Sequence, residues 1–122
     1  MMIISFAETT PALVAGAKTV TRREWHPNHA RKFTADALVQ AWDKTPRVKG
    51  ARRVGTIRIT QAPYIELSTD APIADFDREG FTFMANRGLT LFGGMSPVDV
   101  WRDWHTTARP LWVVRFELVG VL

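Results

Sequence analysis

From Lys18 to Arg23 the chain runs Lys18-Thr19-Val20-Thr21-Arg22-Arg23, directly after Gly16 and Ala17. A rim with so many donors can hold a phosphate or a carbonyl oxygen through charge-assisted hydrogen bonds. The Thr21 hydroxyl can also act as a nucleophile if a neighbouring base takes its proton. Lys18 serves as that base only when desolvation or nearby positive charge lowers its pKa, and Arg22 and Arg23 are candidates for that charge. A solvated basic turn is the competing reading.

The flanking elements are arranged to present this segment. Ile3, Ile4 and Phe6 read as an opening strand. Thr9-Thr10-Pro11 supplies a hydroxyl N-cap and a proline for a short helix whose inner face is Leu13 and Val14, and Gly16 ends it. The Lys18 to Arg23 segment then leaves as extended chain, with Thr19, Thr21 and Arg23 on one face and Lys18, Val20 and Arg22 on the other. Trp25 to Thr34 reads as a loop, and Ala37 to Trp42 as a strand. A flexible basic loop from Arg47 to Arg53 precedes the strongest strand signal, Val54 to Ile65, which breaks at Pro63. Pro72 to Arg78 reads as a short helix ended by Gly80, and Phe81 to Met95 as a Gly-rich irregular excursion. Ser96-Pro97-Val98-Asp99 starts a further helix with its own cap. Leu111 to Val121 closes the chain as a strand with Trp112, Val114, Phe116 and Leu118 on one face. Strands and helices do not alternate as a parallel sheet requires, so the expected fold is α+β, a mostly antiparallel curved sheet or barrel with helices at its ends.

Bulk composition narrows the function classes. The 122 residues suit one domain, and 46% hydrophobic content allows a packed core. Cysteine is absent, which excludes disulfides, thiolate metal sites and a cysteine nucleophile. The N-terminus has no basic region followed by an apolar stretch, so a signal peptide is not expected. No run of about 18 apolar residues suggests a membrane span. The expectation is a soluble cytoplasmic protein without a membrane partner. Sixteen basic against twelve acidic residues give a net charge of +4, a modest excess of the kind that meets phosphates. It gathers in two stretches, around Lys18 to Lys32 and Lys44 to Arg53, while Asp70, Asp75, Asp77 and Glu79 follow later.

Gly16, Lys18, Thr21 and Arg23 together resemble the Gly-x-Lys-x-x-Thr-x-Arg signature of ASCH domains, a branch of the PUA-like superfamily. Asp77-Arg78-Glu79-Gly80-Phe81, about 60 residues downstream, resembles that family's Glu-Gly-Phe segment at a helix end. The closing strand matches the barrel's last strand, so the resemblance covers most of the chain. It implies a single PUA-like domain over 1–122, a barrel of five or six strands with short peripheral helices. Some ASCH proteins are amidohydrolases that deacetylate N(4)-acetylcytidine, and others are regarded as RNA-binding modules. For the former, the resemblance implies Lys18, Thr21 and Glu79 as the catalytic set. The chain departs from the compact amidohydrolases in carrying Arg22 before the motif arginine. It also has insertions around Trp25 to Lys32 and Phe83 to Gly94.

Both readings stay open at this point: an amidohydrolase acting on N(4)-acylated cytidine, or a non-catalytic RNA-binding module. In the second, Arg22, Arg23, Lys49, Arg52 and Arg53 would grip phosphates. Trp25 and Trp42, beside basic residues, are candidates to stack on a base, and Tyr64 to line the pocket mouth. Trp101, Trp104 and Trp112 follow apolar periodicity and read as core. His26, His29 and His105 lack acids at ligand spacing, so neither a metal nor another cofactor is expected. The expected partner is RNA or a modified nucleoside.

Overall fold

The computed structural model describes residues 1–122. Its strands are β1 (Ile3–Ser5), β2 (Val20–Arg23), β3 (Leu38–Trp42), β4 (Arg53–Ile59), β5 (Tyr64–Leu67) and β6 (Pro110–Val121). Its helices are α1 (Thr10–Val14), α2 (Pro27–Ala30), α3 (Ala74–Arg78), α4 (Phe81–Asn86) and α5 (Pro97–Thr106). The long apolar alternation at the C-terminus becomes β6, which serves two parts of the sheet. Its first half pairs with β2 on one edge and β5 on the other, and its second half pairs with β4. The strand order is β1-β3-β4-β6-β2, with β5 beside β6. All pairings are antiparallel except β1 with β3. Register shifts in β3 and β4 bend the sheet, which curls into a half-barrel.

The expected α+β fold with a mostly antiparallel curved sheet and short helices is present as a partial barrel: one pair is parallel, and β1 and β2 end the sheet as unpaired edges. The two edges are linked instead by a side chain. Arg23 on β2 donates from Nη2 to the carbonyl oxygen of Ser5 on β1 at 2.8 Å.

Two apolar cores flank this seam. Ile4, Phe6, Leu13, Phe33, Ile57 and Phe116 are among those filling the inside of the curl. Ala12, Phe81, Met84, Val100, Trp104 and Leu111 join the helices to the other part of the sheet. Helix α1 contributes to both, through Leu13 and Ala12 respectively.

Other local expectations need correction. The His26 to Ala30 stretch is a capped helical turn, because Pro27 suits the first position and the His26 ring accepts a hydrogen bond from the Asn28 N–H at 3.1 Å. Phe81 to Met95 begins with α4: Phe81 and Met84 lie one turn apart and are both buried, a periodicity obscured by the surrounding glycines. The Val54 to Ile65 signal splits into β4 and β5 at the turn before Pro63. The Thr9 and Thr10 hydroxyls do not cap α1; they donate backwards to the carbonyls of Phe6 and Ala7, each at 2.7 Å. By contrast Ser96 does cap α5, accepting from the Asp99 N–H at 3.1 Å.

Gly80 is the hinge that sets α3 against α4. Its φ of +87° is open to glycine and strained for other residues, and a Cβ there would lie 2.6 Å from that of Ala12 and 3.3 Å from that of Lys18. Gly80→Ala should therefore lower the unfolding free energy by about 2 kcal/mol or more, read as a reduced urea midpoint. A midpoint equal to wild type would contradict this packing.

Candidate functional site

Lys18 is placed by backbone on both sides. The Ala17 N–H bonds the Ala12 carbonyl at 2.9 Å as the chain leaves α1, and the Thr19 N–H bonds the Arg78 carbonyl at the end of α3 at 2.8 Å. These ties press Lys18 against the last turn of α3, where it is only 2% exposed. Its Nζ donates to Glu79 Oε1 at 2.8 Å and to the Glu79 carbonyl at 3.0 Å. Glu79, 2% exposed, faces inward because the helix ends there and the chain turns away at Gly80.

Arg22 completes the arrangement. Its side chain is fully buried and lies between three carboxylates. Nη1 donates to Glu79 Oε2 at 2.7 Å, and Nη2 to Glu66 Oε1 at 3.0 Å and to Asp75 Oδ2. Asp75 lies one helical turn before Glu79, so both carboxylates leave α3 on one face. Arg115 on β6 donates to both Asp75 oxygens at 3.1 and 2.8 Å, and to the Tyr64 hydroxyl at 3.1 Å. Four cationic side chains, Lys18, Arg22, Arg23 and Arg115, thus share a neighbourhood with the carboxylates of Glu66, Asp75 and Glu79.

The charge balance decides the titration of the lysine. Burial disfavours its ammonium form and is the main cause that lowers the Lys18 pKa; Arg23 and Arg22 push the same way, and Glu79 opposes them. Glu79 cannot fully hold the proton on Lys18, since its other oxygen already accepts from Arg22. Burial also disfavours the Arg22 cation, but Glu79, Asp75 and Glu66 outweigh it and raise its pKa. At Asp75, burial favours the acid, yet the hydrogen bonds from Arg115 and Arg22 prevail and lower the pKa.

Lys18, Thr21, Arg22, Arg23 and Glu79 all line one cavity of about 210 Å³, closed by Phe6, Phe81 and Trp104 among others. It opens at the seam between β1 and β2. The Thr21 hydroxyl oxygen accepts from Arg23 Nε at 3.0 Å, and Thr21 shares the cavity wall with the Lys18–Glu79 pair without a hydrogen bond to it. The bond from Arg23 leaves the hydroxyl proton free to be given elsewhere, and the guanidinium beside it favours an oxyanion on Thr21. Trp104 belongs to the helical core and also presents its ring to the cavity, with Arg22 Cζ 5.8 Å from the ring centroid.

The other expected site residues lie elsewhere. Trp25 is half-buried and stacks on Phe33, with ring centroids 4.6 Å apart, so one of its faces is occupied. Arg52 is exposed at the end of the basic loop, and Arg53 Nη2 donates to Thr56 Oγ1 at 2.9 Å. Tyr64 supports Arg115 behind the carboxylates and does not line the cavity. Trp42 donates from Nε1 to Gln40 at 3.0 Å. Asp75, Glu66, Arg115 and Phe92 escaped the sequence reading. The spacing of Asp75 and Glu79 on one helix was the signal available for the first of these.

The fold is similar to that of protein EF3133 from Enterococcus faecalis V583, whose crystal structure is described under the family DUF984. The TM-score is 0.53 at 14% identity, over 99% of this chain and 81% of that one. No protein-family model and no curated protein matches the sequence.

Removing Arg22 would leave Asp75 to Arg115, Glu79 to Lys18, and Glu66 without an ion-pair partner, with two of the three carboxylates buried. Arg22→Met should cost about 3–5 kcal/mol of stability at neutral pH, as expected when one partner of a buried ion cluster is lost. Arg22→Lys should recover only part of it, because an ammonium cannot reproduce the forked contact. Urea denaturation of the three proteins checks this; a loss below about 1 kcal/mol would place the cluster among weak surface pairs.

Proposed function

We propose that the cavity is a hydrolytic site for an acylated amine on a planar ring, of which N(4)-acetylcytidine is the sharpest instance. The observation that carries this reading is the buried Lys18–Glu79 contact at 2.8 Å on the wall of a cavity that Thr21 also lines. The residues that resemble the ASCH motif, together with the glutamate downstream, meet in one place. In this reading neutral Lys18 takes the Thr21 proton as the hydroxyl oxygen attacks the acyl carbon. The proton passes along the contact with Glu79 to the ring's exocyclic nitrogen, which leaves as the free amine. Water then attacks the Thr21 ester, Lys18 or Glu79 accepts its proton, and acetate departs with Thr21 restored. Arg23 stabilises the negative charge on Thr21 during attack, and Arg22 holds Glu79 in position.

The alternative is a non-catalytic RNA-binding module. It is favoured by the basic loop, where Lys44, Arg47, Lys49 and Arg52 are all exposed. In that reading Arg22 is unavailable to phosphates, since three carboxylates already engage it.

Incubation with N(4)-acetylcytidine separates the two. Wild type should release acetate and cytidine, while Lys18→Ala, Thr21→Ala and Glu79→Ala should each lose at least about a hundredfold in rate, the scale of acid–base and nucleophilic contributions. Release that is absent in wild type, or equal in all four proteins, rejects the hydrolytic reading. Salt-sensitive RNA binding that survives all three substitutions would then support the module.

A further inference from the structure

A second chamber of about 450 Å³ adjoins the first, and Arg22, Arg23, Phe92 and Trp104 line both. Its volume lies within the roughly 300–1,000 Å³ of usual small-molecule sites. Val100, Leu111 and the Trp104 ring give it an apolar floor, and Phe92, 67% exposed, stands where the two chambers meet. Its charged residues are Arg22, Arg23 and Arg109 against Glu24 and Asp103.

These arginines have more donors than the protein has acceptors for them. Two buried side-chain nitrogens in the chain lack a partner in the protein, Arg22 Nε and Arg109 Nε, and both belong to residues of this chamber. Buried donors are almost always satisfied, so two orphans in one place call for a reason. Arg23 adds to the surplus. A guanidinium donates from all of its nitrogens; here Nε donates to the Thr21 hydroxyl at 3.0 Å and Nη2 to the Ser5 carbonyl at 2.8 Å, while Nη1 meets no protein acceptor. Both of its acceptors are neutral. Burial pushes the Arg23 pKa below the ordinary arginine value, and Glu79 only partly opposes this. A desolvated cation without a counter-charge is costly, and a bound anion offsets that cost through charge-assisted hydrogen bonds.

The acidic residues do not cancel the surplus. Asp103 pairs with Arg109 at 3.0 Å, but the two side chains are 53% and 41% exposed, and such surface pairs hold weakly. Glu24 is exposed, so water and salt screen its charge. The arginines are also held in place. Arg23 is fixed by its two bonds, and Ser68 fastens the Arg109 backbone: its N–H donates to the Arg109 carbonyl at 2.8 Å, and its hydroxyl oxygen accepts from the Arg109 N–H at 3.0 Å. A phosphate monoester brings about two negative charges at neutral pH and several strong acceptor oxygens. That suits guanidinium forks short of acceptors better than the single charge of a carboxylate.

We propose that the outer chamber binds an organic phosphate monoester, with its phosphoryl group held by Arg23 and Arg109 and its carbon group resting on the apolar floor beside Phe92. This site goes beyond the hydrolytic reading and does not depend on it, since it needs neither an acyl group nor a nucleobase.

Calorimetric titration with phenyl phosphate, phenol and inorganic phosphate tests it. Phenyl phosphate should bind at least about tenfold tighter than phenol, because the anion carries the affinity. It should also bind several-fold tighter than inorganic phosphate, because the ring covers the apolar floor. Arg23→Gln should weaken phenyl phosphate by at least about tenfold. Arg109→Gln alters a partly exposed side chain, should weaken it several-fold, and gives a second reading if Arg23→Gln fails to fold. Arg102→Gln removes another arginine paired with an aspartate, outside the chamber, and should bind as wild type. Phenyl phosphate no tighter than phenol, inorganic phosphate as tight as phenyl phosphate, full affinity in Arg109→Gln, or an equal loss in Arg102→Gln would each overturn the site. None of these probes carries an amide, so acetate release from N(4)-acetylcytidine stands or falls separately.

Discussion

Everything at this site depends on one guanidinium. Arg22 is buried between Glu66, Asp75 and Glu79, and it is the one cation that contacts all three carboxylates. An arginine does this where a lysine does not, because its planar fork donates in several directions and stays charged when desolvated. Its presence also frees Lys18. Since Arg22 holds one oxygen of Glu79, the carboxylate is only partly available to keep a proton on the lysine, and burial can lower the lysine pKa. A structural ion cluster and a buried lysine of lowered pKa are thus parts of the same arrangement.

The curl of the sheet explains why this cluster lies beside a cavity. A closed barrel would pair β1 with β2 and fill the space between them. Here those edges remain apart, with Arg23 spanning the gap to the Ser5 carbonyl. The opening is bounded by both apolar cores, so the polar residues on its wall have a dry surrounding. β6 supplies the frame: it carries β2 with Thr21 and Arg22 on one edge, β5 with Glu66 on the other, and Arg115 on itself. Helix α3 brings Asp75 and Glu79 from the remaining side, and Gly80 lets the chain turn away without displacing Lys18.

Much of this was legible in the residues. Lys18, Thr21 and Arg23 stand out by type and spacing, Glu79 only through the resemblance of its Glu-Gly-Phe segment, and the capped α5 and the long β6 follow from local chemistry that tertiary contacts do not override. Arg22 was legible as a charge but not as a partner. Its role depends on Glu66, Asp75 and Glu79, which lie 44, 53 and 57 residues away. Such pairings are fixed by sheet register, which period and propensity do not reveal. The aromatic residues were harder still. Trp25 and Tyr64 look like ligand contacts by their neighbours in sequence, yet one packs on Phe33 and the other braces Arg115. Phe92 was hidden because its glycine-rich surroundings suggest an irregular loop and say nothing of where its tip points.

The central claim is that burial and the Arg22–Glu79 contact leave Lys18 ready to give up its proton. The most direct measurement is a pH titration of the Lys18 side-chain nitrogen by NMR in the ligand-free protein. The expected midpoint lies below the ordinary lysine value of 10.5. A midpoint at or above that value would mean that Glu79 holds the ammonium as a plain ion pair, and would contradict the role of base proposed for Lys18.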